Sequence, residues 1–222
     1  MNAKLGIITI GQSPRVDLTG DMLNILRKDI EVIERGVLDS FTLKEVNEYF
    51  RPIEGEARLV SRMRDGNQVI LDEGKIIKEL QTVIYELEKE VDMILLLCTG
   101  KFPKLYSKKT LIMPKPIVKS VIDVLRDGKK IGVVIPDISQ KEDIELWWKS
   151  VEIDVEIFAY SPYTSNCPID NIVFKDDSIE HIVLDCMGYT QEIKSKIIEK
   201  TGKKVILPRT LLARIINEIL YI

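Results

Sequence analysis

The 222 residues carry 32 basic and 35 acidic side chains for a formal net charge of -3, with 45% hydrophobic and 30% charged residues. Such a balance excludes a dedicated nucleic-acid binder, which needs a basic face against phosphates, and no apolar run approaches the roughly 20 residues that cross a bilayer. Met1-Asn-Ala-Lys4 leads straight into an apolar strand pattern without the basic, apolar and small-residue segments of a signal peptide, so a cytoplasmic protein is expected.

In chain order, residues 5–10 read as a strand, and Gly11-Gln-Ser-Pro-Arg15 as a turn opening a helix over 14–28, with Ser13 as N-cap and Pro14 at the first helical position. Residues 57–63 and 68–71 flank Arg64-Asp-Gly-Asn67, a turn signal that predicts a β-hairpin. A helix over 75–89 and a strand over 93–97 follow, and Pro114-Lys-Pro116 is the expected passage between two lobes. Beyond it, helices at 117–126, 141–149, 191–200 and 210–220 are interspersed with strands at 131–135, 155–158, 181–185 and 205–207. Near-continuous apolar strands between helices predict parallel sheets covered on both faces, an α/β architecture.

Two segments look like copies of two others. Gly6-Ile-Ile-Thr-Ile matches Gly132-Val-Val-Ile-Pro, and Val91–Gly100 matches His181–Gly188 in setting a cysteine just past a strand with glycine two residues on. Gly6 to Cys98 spans 92 residues and Gly132 to Cys186 spans 54, so the first copy carries about 38 extra, most of them expected between 40 and 75. The expectation is two similar three-layer α/β lobes with a cleft between them. Residues 1–115 form the first and 116–208 the second, followed by a C-terminal helix at 209–222.

Ligands of open parallel sheets collect beyond the carboxyl ends of the strands, where Cys98 and Cys186 sit. Facing each other across a cleft, one thiol could take a proton from a carbon and the other return one, as in a cofactor-independent racemase. Each is equally a small buried hydrophobe on its own. A useful base needs its thiolate favoured, and the turns Thr99-Gly100 and Met187-Gly188 could supply N–H donors. His181 is the only histidine and lies roughly 16 Å from Cys186 along a strand, which excludes a Cys–His dyad and a histidine-rich metal site and marks it as a surface residue. Cys98, Cys167 and Cys186 are too widely spaced for a disulfide framework or zinc knuckle, and Cys167 has no counterpart in the first copy. No glycine-rich phosphate motif is present, so a dinucleotide or nucleoside triphosphate is not implied, and no cofactor is expected.

Gln12, Ser13 and Arg15 after the first strand, and Arg209 and Thr210 after the last, are candidate contacts for a substrate carboxylate, because helix N-termini and guanidinium groups favour anions. A helix cap alone explains the first group as well. Ser161-Pro-Tyr-Thr-Ser-Asn166 is a polar turn that lines the same cleft or is simply a loop. Of the pair Trp147-Trp148, one is expected to pack inward.

Leu5-Gly-Ile-Ile-Thr-Ile-Gly11, Gly36-Val-Leu-Asp-Ser40 with Glu45-Val46, residues 76–81, Asp92-Met-Ile-Leu-Leu-Leu97 and Leu184-Asp-Cys-Met-Gly-Tyr189 together resemble the AroM protein family, nearly end to end. That family is similar to the aspartate/glutamate racemase superfamily, which includes amino-acid racemases, hydantoin racemase and arylmalonate- or maleate-processing enzymes. The resemblance implies two lobes with one cysteine from each, Cys98-Thr-Gly answering a Cys-Asn-Thr turn and Cys186-Met-Gly-Tyr a Cys-Thr-His-Tyr turn. It also implies a small carboxylate or cyclic amide as ligand, substrate contacts at Thr99, Gly100, Met187, Gly188 and Tyr189, a final helix that returns to the first lobe, and a homodimer. Gly100 and Gly188 depart from the amino-acid racemases, where side chains help to hold the substrate, and Cys-Met-Gly is nearer the hydantoin racemase turn. The expected function is a two-cysteine racemase or isomerase, with a non-catalytic small-molecule-binding or regulatory protein as the rival.

Overall fold

A computed structural model describes residues 2–53, 58–163, 169 and 172–220. The chain divides into two compact units. The first contains Met1–Val16, Leu26–Pro114 and Ile216–Ile222, the second Asp17–Ile25 and Lys115–Ile215.

In the first unit a parallel four-stranded sheet has the order β2 (Ile30–Gly36), β1 (Ala3–Thr9), β5 (Met93–Leu96), β6 (Thr110–Ile112). β5, and β1 apart from Lys4 and Thr9, are apolar because, as inner strands of a parallel sheet, they are covered on both faces. Helix α3 (Glu73–Leu87) buries Ile76, Leu80, Ile84 and Leu87, a stripe three to four residues apart, and the Asp72 carboxylate accepts the Lys75 N–H to close its first turn. Burying each such aliphatic side chain contributes about 1.5–3 kcal/mol, far above what helix propensity supplies. An antiparallel hairpin of β3 (Arg58–Arg62) and β4 (Gln68–Asp72) turns at the Asp65-Gly66 region and packs Leu59, Val69 and Leu71 into the same core.

The second unit repeats the plan. Its parallel sheet has the order β10 (Lys204–Ile206), β9 (His181–Leu184), β7 (Ile131–Ile135), β8 (Val155–Ala159), so β7, β8, β9 and β10 hold the places of β1, β2, β5 and β6. The correspondence extends to single residues. Gly6 pairs with Ile94, four residues before Cys98, and Gly132 pairs with Ile182, four residues before Cys186. One step further on, the Leu97 N–H donates to the Ile8 carbonyl at 2.7 Å and the Asp185 N–H to the Val134 carbonyl at 2.8 Å. Helices α4 (Pro114–Leu125), α5 (Lys141–Ser150), α6 (Gln191–Thr201) and α7 (Pro208–Ile219) surround this sheet, while α1 (Val16–Ile25), which follows β1 in sequence, groups with the second unit from Asp17 onward. Trp148 is fully buried in this unit's core and Trp147 packs beside it edge to face.

Three elements escaped the sequence pattern: β2, β6 and α2 (Leu43–Tyr49). Two local expectations are corrected. Helix α1 begins at Val16 rather than Pro14, and Ser13 does not cap it, because the Asp39 carboxylate takes both the Ser13 hydroxyl and N–H at 2.7 Å. His181 is not a surface residue: β9 is an inner strand, which leaves the imidazole 7% exposed. Cys167 and residues 164–166 of the polar turn lie outside the described residues. Among the described residues no helix is long and apolar enough to cross a membrane.

Candidate functional site

In the first unit, β1 and β5 run parallel and adjacent, so the segments that follow them, Gly11–Arg15 and Leu97–Gly100, leave the sheet at the same edge. Cys98 is half-buried. The chain turns at Thr99, and the Gly100 N–H comes back to the Cys98 sulfur at 3.3 Å. Such a donor favours the thiolate over the thiol. The β3–β4 hairpin braces this edge: Leu59 touches Gly100, and the Arg62 carbonyl accepts the Gln12 N–H.

The neighbouring polar residues are largely occupied with one another. The Gln12 side chain donates to the Leu38 and Phe41 carbonyls and accepts the Arg64 N–H at 2.9 Å. Asp39 gathers the Ser13 hydroxyl and N–H, the Gly36 N–H and the Arg64 guanidinium. An internal carboxylate thus sits where the Ser13 donors were expected to hold an external one, and Gln12 and Ser13 act as braces of the loop. Arg15, only 4% exposed, donates its backbone N–H to the Glu34 carboxylate at 2.9 Å and its guanidinium reaches the Ser61 hydroxyl at 3.4 Å.

The second unit builds the matching turn. Cys186 follows β9 and is half-buried, and the Gly188 N–H reaches its sulfur at 3.4 Å, the same device two residues on. Arg209 secures the turn from behind. Its guanidinium, 1% exposed, donates to the carbonyls of Tyr189, Gly188, Asp17 and Leu18 and lies 3.4 Å from the Asp21 carboxylate. Burial pulls its pKa down and Asp21 opposes that pull. Arg209 therefore spends its charge inside the fold, a correction to its expected role as an anion contact. Thr210 likewise donates to the Leu207 carbonyl, and Met187 is buried. Burial drives the Tyr189 phenol well above its ordinary pKa, so it stays protonated and donates to the Tyr160 carbonyl at 2.7 Å.

Two features of this half were not found from sequence. Asp185, directly before Cys186, forms a buried ion pair with Lys115, whose ammonium lies 4.5 Å from the centre of the Trp147 ring. Tyr163 brings its hydroxyl to 3.7 Å from the Cys186 sulfur. The available signals were Lys115 between two prolines and a tyrosine in the 161–166 turn, and neither has a periodicity to mark it.

The profile of the AroM protein family matches residues 5–220. This chain belongs to the AroM protein family. No curated protein matches it in sequence. Its fold is shared with arylmalonate decarboxylase (TM-score 0.60, 12% identity, covering 98% of this chain and 91% of that one). It is also shared with glutamate racemase from Aquifex pyrophilus (TM-score 0.56, 15% identity, 98% and 84%) and with Picrophilus torridus aspartate racemase (TM-score 0.55, 13% identity, 98% and 94%). This AroM protein thus has the racemase-like fold, and its two cysteine turns occupy equivalent positions in its two units.

Proposed function

We propose that this AroM protein is a cofactor-independent racemase or isomerase in which Cys98 and Cys186 exchange protons with one carbon of a small carboxylate-bearing molecule or cyclic amide. The observation that carries this reading is the duplicated turn. In each unit the strand after the same sheet position delivers a half-buried thiol whose sulfur receives the N–H of a glycine two residues on, at 3.3 and 3.4 Å. Two structural cysteines have no need of a matched donor. Two proton-transfer groups do, since each must be stable as thiolate in one direction of the reaction. Fold neighbours named for glutamate, aspartate and arylmalonate support a carboxylate-bearing substrate.

In the forward direction one thiolate removes the proton from the carbon next to the carboxyl or carbonyl group. The electron pair left behind delocalises onto that group's oxygen, and the opposite thiol returns a proton to the other face. The Thr99-Gly100 and Met187-Gly188 turns line the reacting atoms, and the backbone N–H groups of Thr99 and Met187 stabilise the enolate-like charge. Gln12, Ser13 and Arg209 serve by holding the turns in place.

The test is proton exchange in D₂O with a panel of amino acids, hydantoins, hydroxy acids and arylmalonates, followed by loss of the α-proton NMR signal. Exchange that falls by about 10²–10⁴-fold in both Cys98→Ser and Cys186→Ser supports the two-thiol reaction. Absence of exchange across the panel, together with a ligand-dependent rise in Tm, would replace it with the ligand-binding reading.

A further inference from the structure

Tyr163 stands just past the end of β8, in a turn fixed by its own N–H donating to the Ser161 hydroxyl at 3.2 Å. From there its phenol runs across Gly188, and a Cβ built on that glycine would lie 2.4 Å from the hydroxyl oxygen and 2.6 Å from the ring carbon that bears it. Any side chain at 188 would push the phenol off the turn. The ring of Pro162 closes the same space at 2.9 Å. A bare backbone at 188 is therefore what lets the tyrosine hydroxyl come to 3.7 Å from the Cys186 sulfur, within the longer reach of a sulfur hydrogen bond.

We propose that Tyr163 is a positioning residue for Cys186, its hydroxyl donating to the sulfur in the thiolate form alongside the Gly188 N–H. A thiolate only accepts, so the phenol must be the donor to it; a thiol can instead donate to the phenol oxygen. A donor that strengthens as the sulfur gains charge stabilises the thiolate and orients its lone pairs. Among the described residues, three other titratable or charged groups near this sulfur are held in partnerships of their own. Asp185 is paired with Lys115, Arg209 with Asp21 and four carbonyls, and Tyr189 with the Tyr160 carbonyl. Tyr163 is thus the side chain whose hydroxyl addresses the sulfur directly.

The proposal rests on the two-thiol reading for its purpose, but its test does not need turnover. With Cys98→Ser and Cys167→Ala leaving Cys186 as the sole thiol, the rate of iodoacetamide alkylation is followed from pH 5 to 10, with and without Tyr163→Phe. The expected result is a thiol midpoint raised by about 0.5–1 pH unit, slowing alkylation at pH 7 by about 3–10-fold. Circular dichroism establishes folding, and should Tyr163→Phe fail to fold, Gly188→Ala, which displaces the phenol, is read by the same midpoint. A folded variant with an unchanged or lowered midpoint overturns the proposal. A raised midpoint in a protein without D₂O exchange keeps Tyr163 beside the thiolate and discards the racemase reading. Exchange with an unchanged midpoint does the reverse.

Discussion

Arg209 shows how a charged side chain can serve a site without touching its ligand. Its planar guanidinium satisfies four carbonyls from two segments of the chain, the Gly188-Tyr189 turn and the start of α1, and no other residue type offers five donors in a fixed fork. Replacing it with methionine leaves those buried carbonyls without this donor and the Asp21 carboxylate without this partner. Arg209→Met is expected to cost about 3–5 kcal/mol in urea unfolding. A loss below about 1 kcal/mol would show that the clamp is not formed in solution. From the sequence, Arg209 at a helix start has the look of an anion ligand, because nothing local reveals that the carbonyls of residues 17 and 18 lie against it. The cysteines were legible for the opposite reason: strand, thiol and glycine are adjacent in sequence, and so is the hydrogen bond that joins them. Tyr163 was not, since its meeting with Cys186 is made by the fold across 23 residues.

At the level of elements, the inner strands were read from their apolar runs, and the edge strands β8 and β10 and the β3–β4 hairpin were legible as well. β1, β5, β7 and β9 are inner strands buried on both faces, and their composition announces it. β2, by contrast, is an edge strand whose Ile-Glu-Val-Ile-Glu-Arg-Gly run mixes three charges among apolar residues, and β6 has only three residues. The seven residues of α2 are too few for periodicity, although the reciprocal Thr42–Glu45 capping box was available as a signal. Helix α6 permits a clean test of backbone conformation. Gly202 ends it at φ 65°, and a Cβ there would meet nothing within 4 Å, so Gly202→Ala carries a conformational cost with no steric one. The expected loss is about 1 kcal/mol by thermal or urea unfolding. An alanine variant as stable as the parent would show that the last turn unwinds to relieve it.

For the whole molecule, one buried imidazole sets how stability responds near neutral pH. Burial, with the Lys204 ammonium acting in the same direction, holds the His181 pKa below its ordinary 6.5. The unfolded chain therefore takes up this proton first as the pH falls. The contribution of the neutral imidazole is complete above pH 6.5 and is lost progressively as the pH drops from 6.5 through the depressed value. Urea midpoints compared between pH 7.5 and 5.5 should fall in the parent and flatten in His181→Gln, since the chain has no other histidine. Equal slopes in the two proteins would assign the dependence to carboxylates instead.

The assignment of α1 to the second unit, with β1 before it and β2 after it in the first, means that the backbone passes from one unit to the other four times, at residues 16/17, 25/26, 114/115 and 215/216. Neither unit is therefore a contiguous stretch of gene. A fragment ending at Pro114 would carry Cys98 but would take α1 from its neighbour and leave behind its own C-terminal segment; the remainder would carry Cys186 without the helix start that Arg209 grips. The two matching sheets are thus built from interleaved segments of the chain, not from one half after the other.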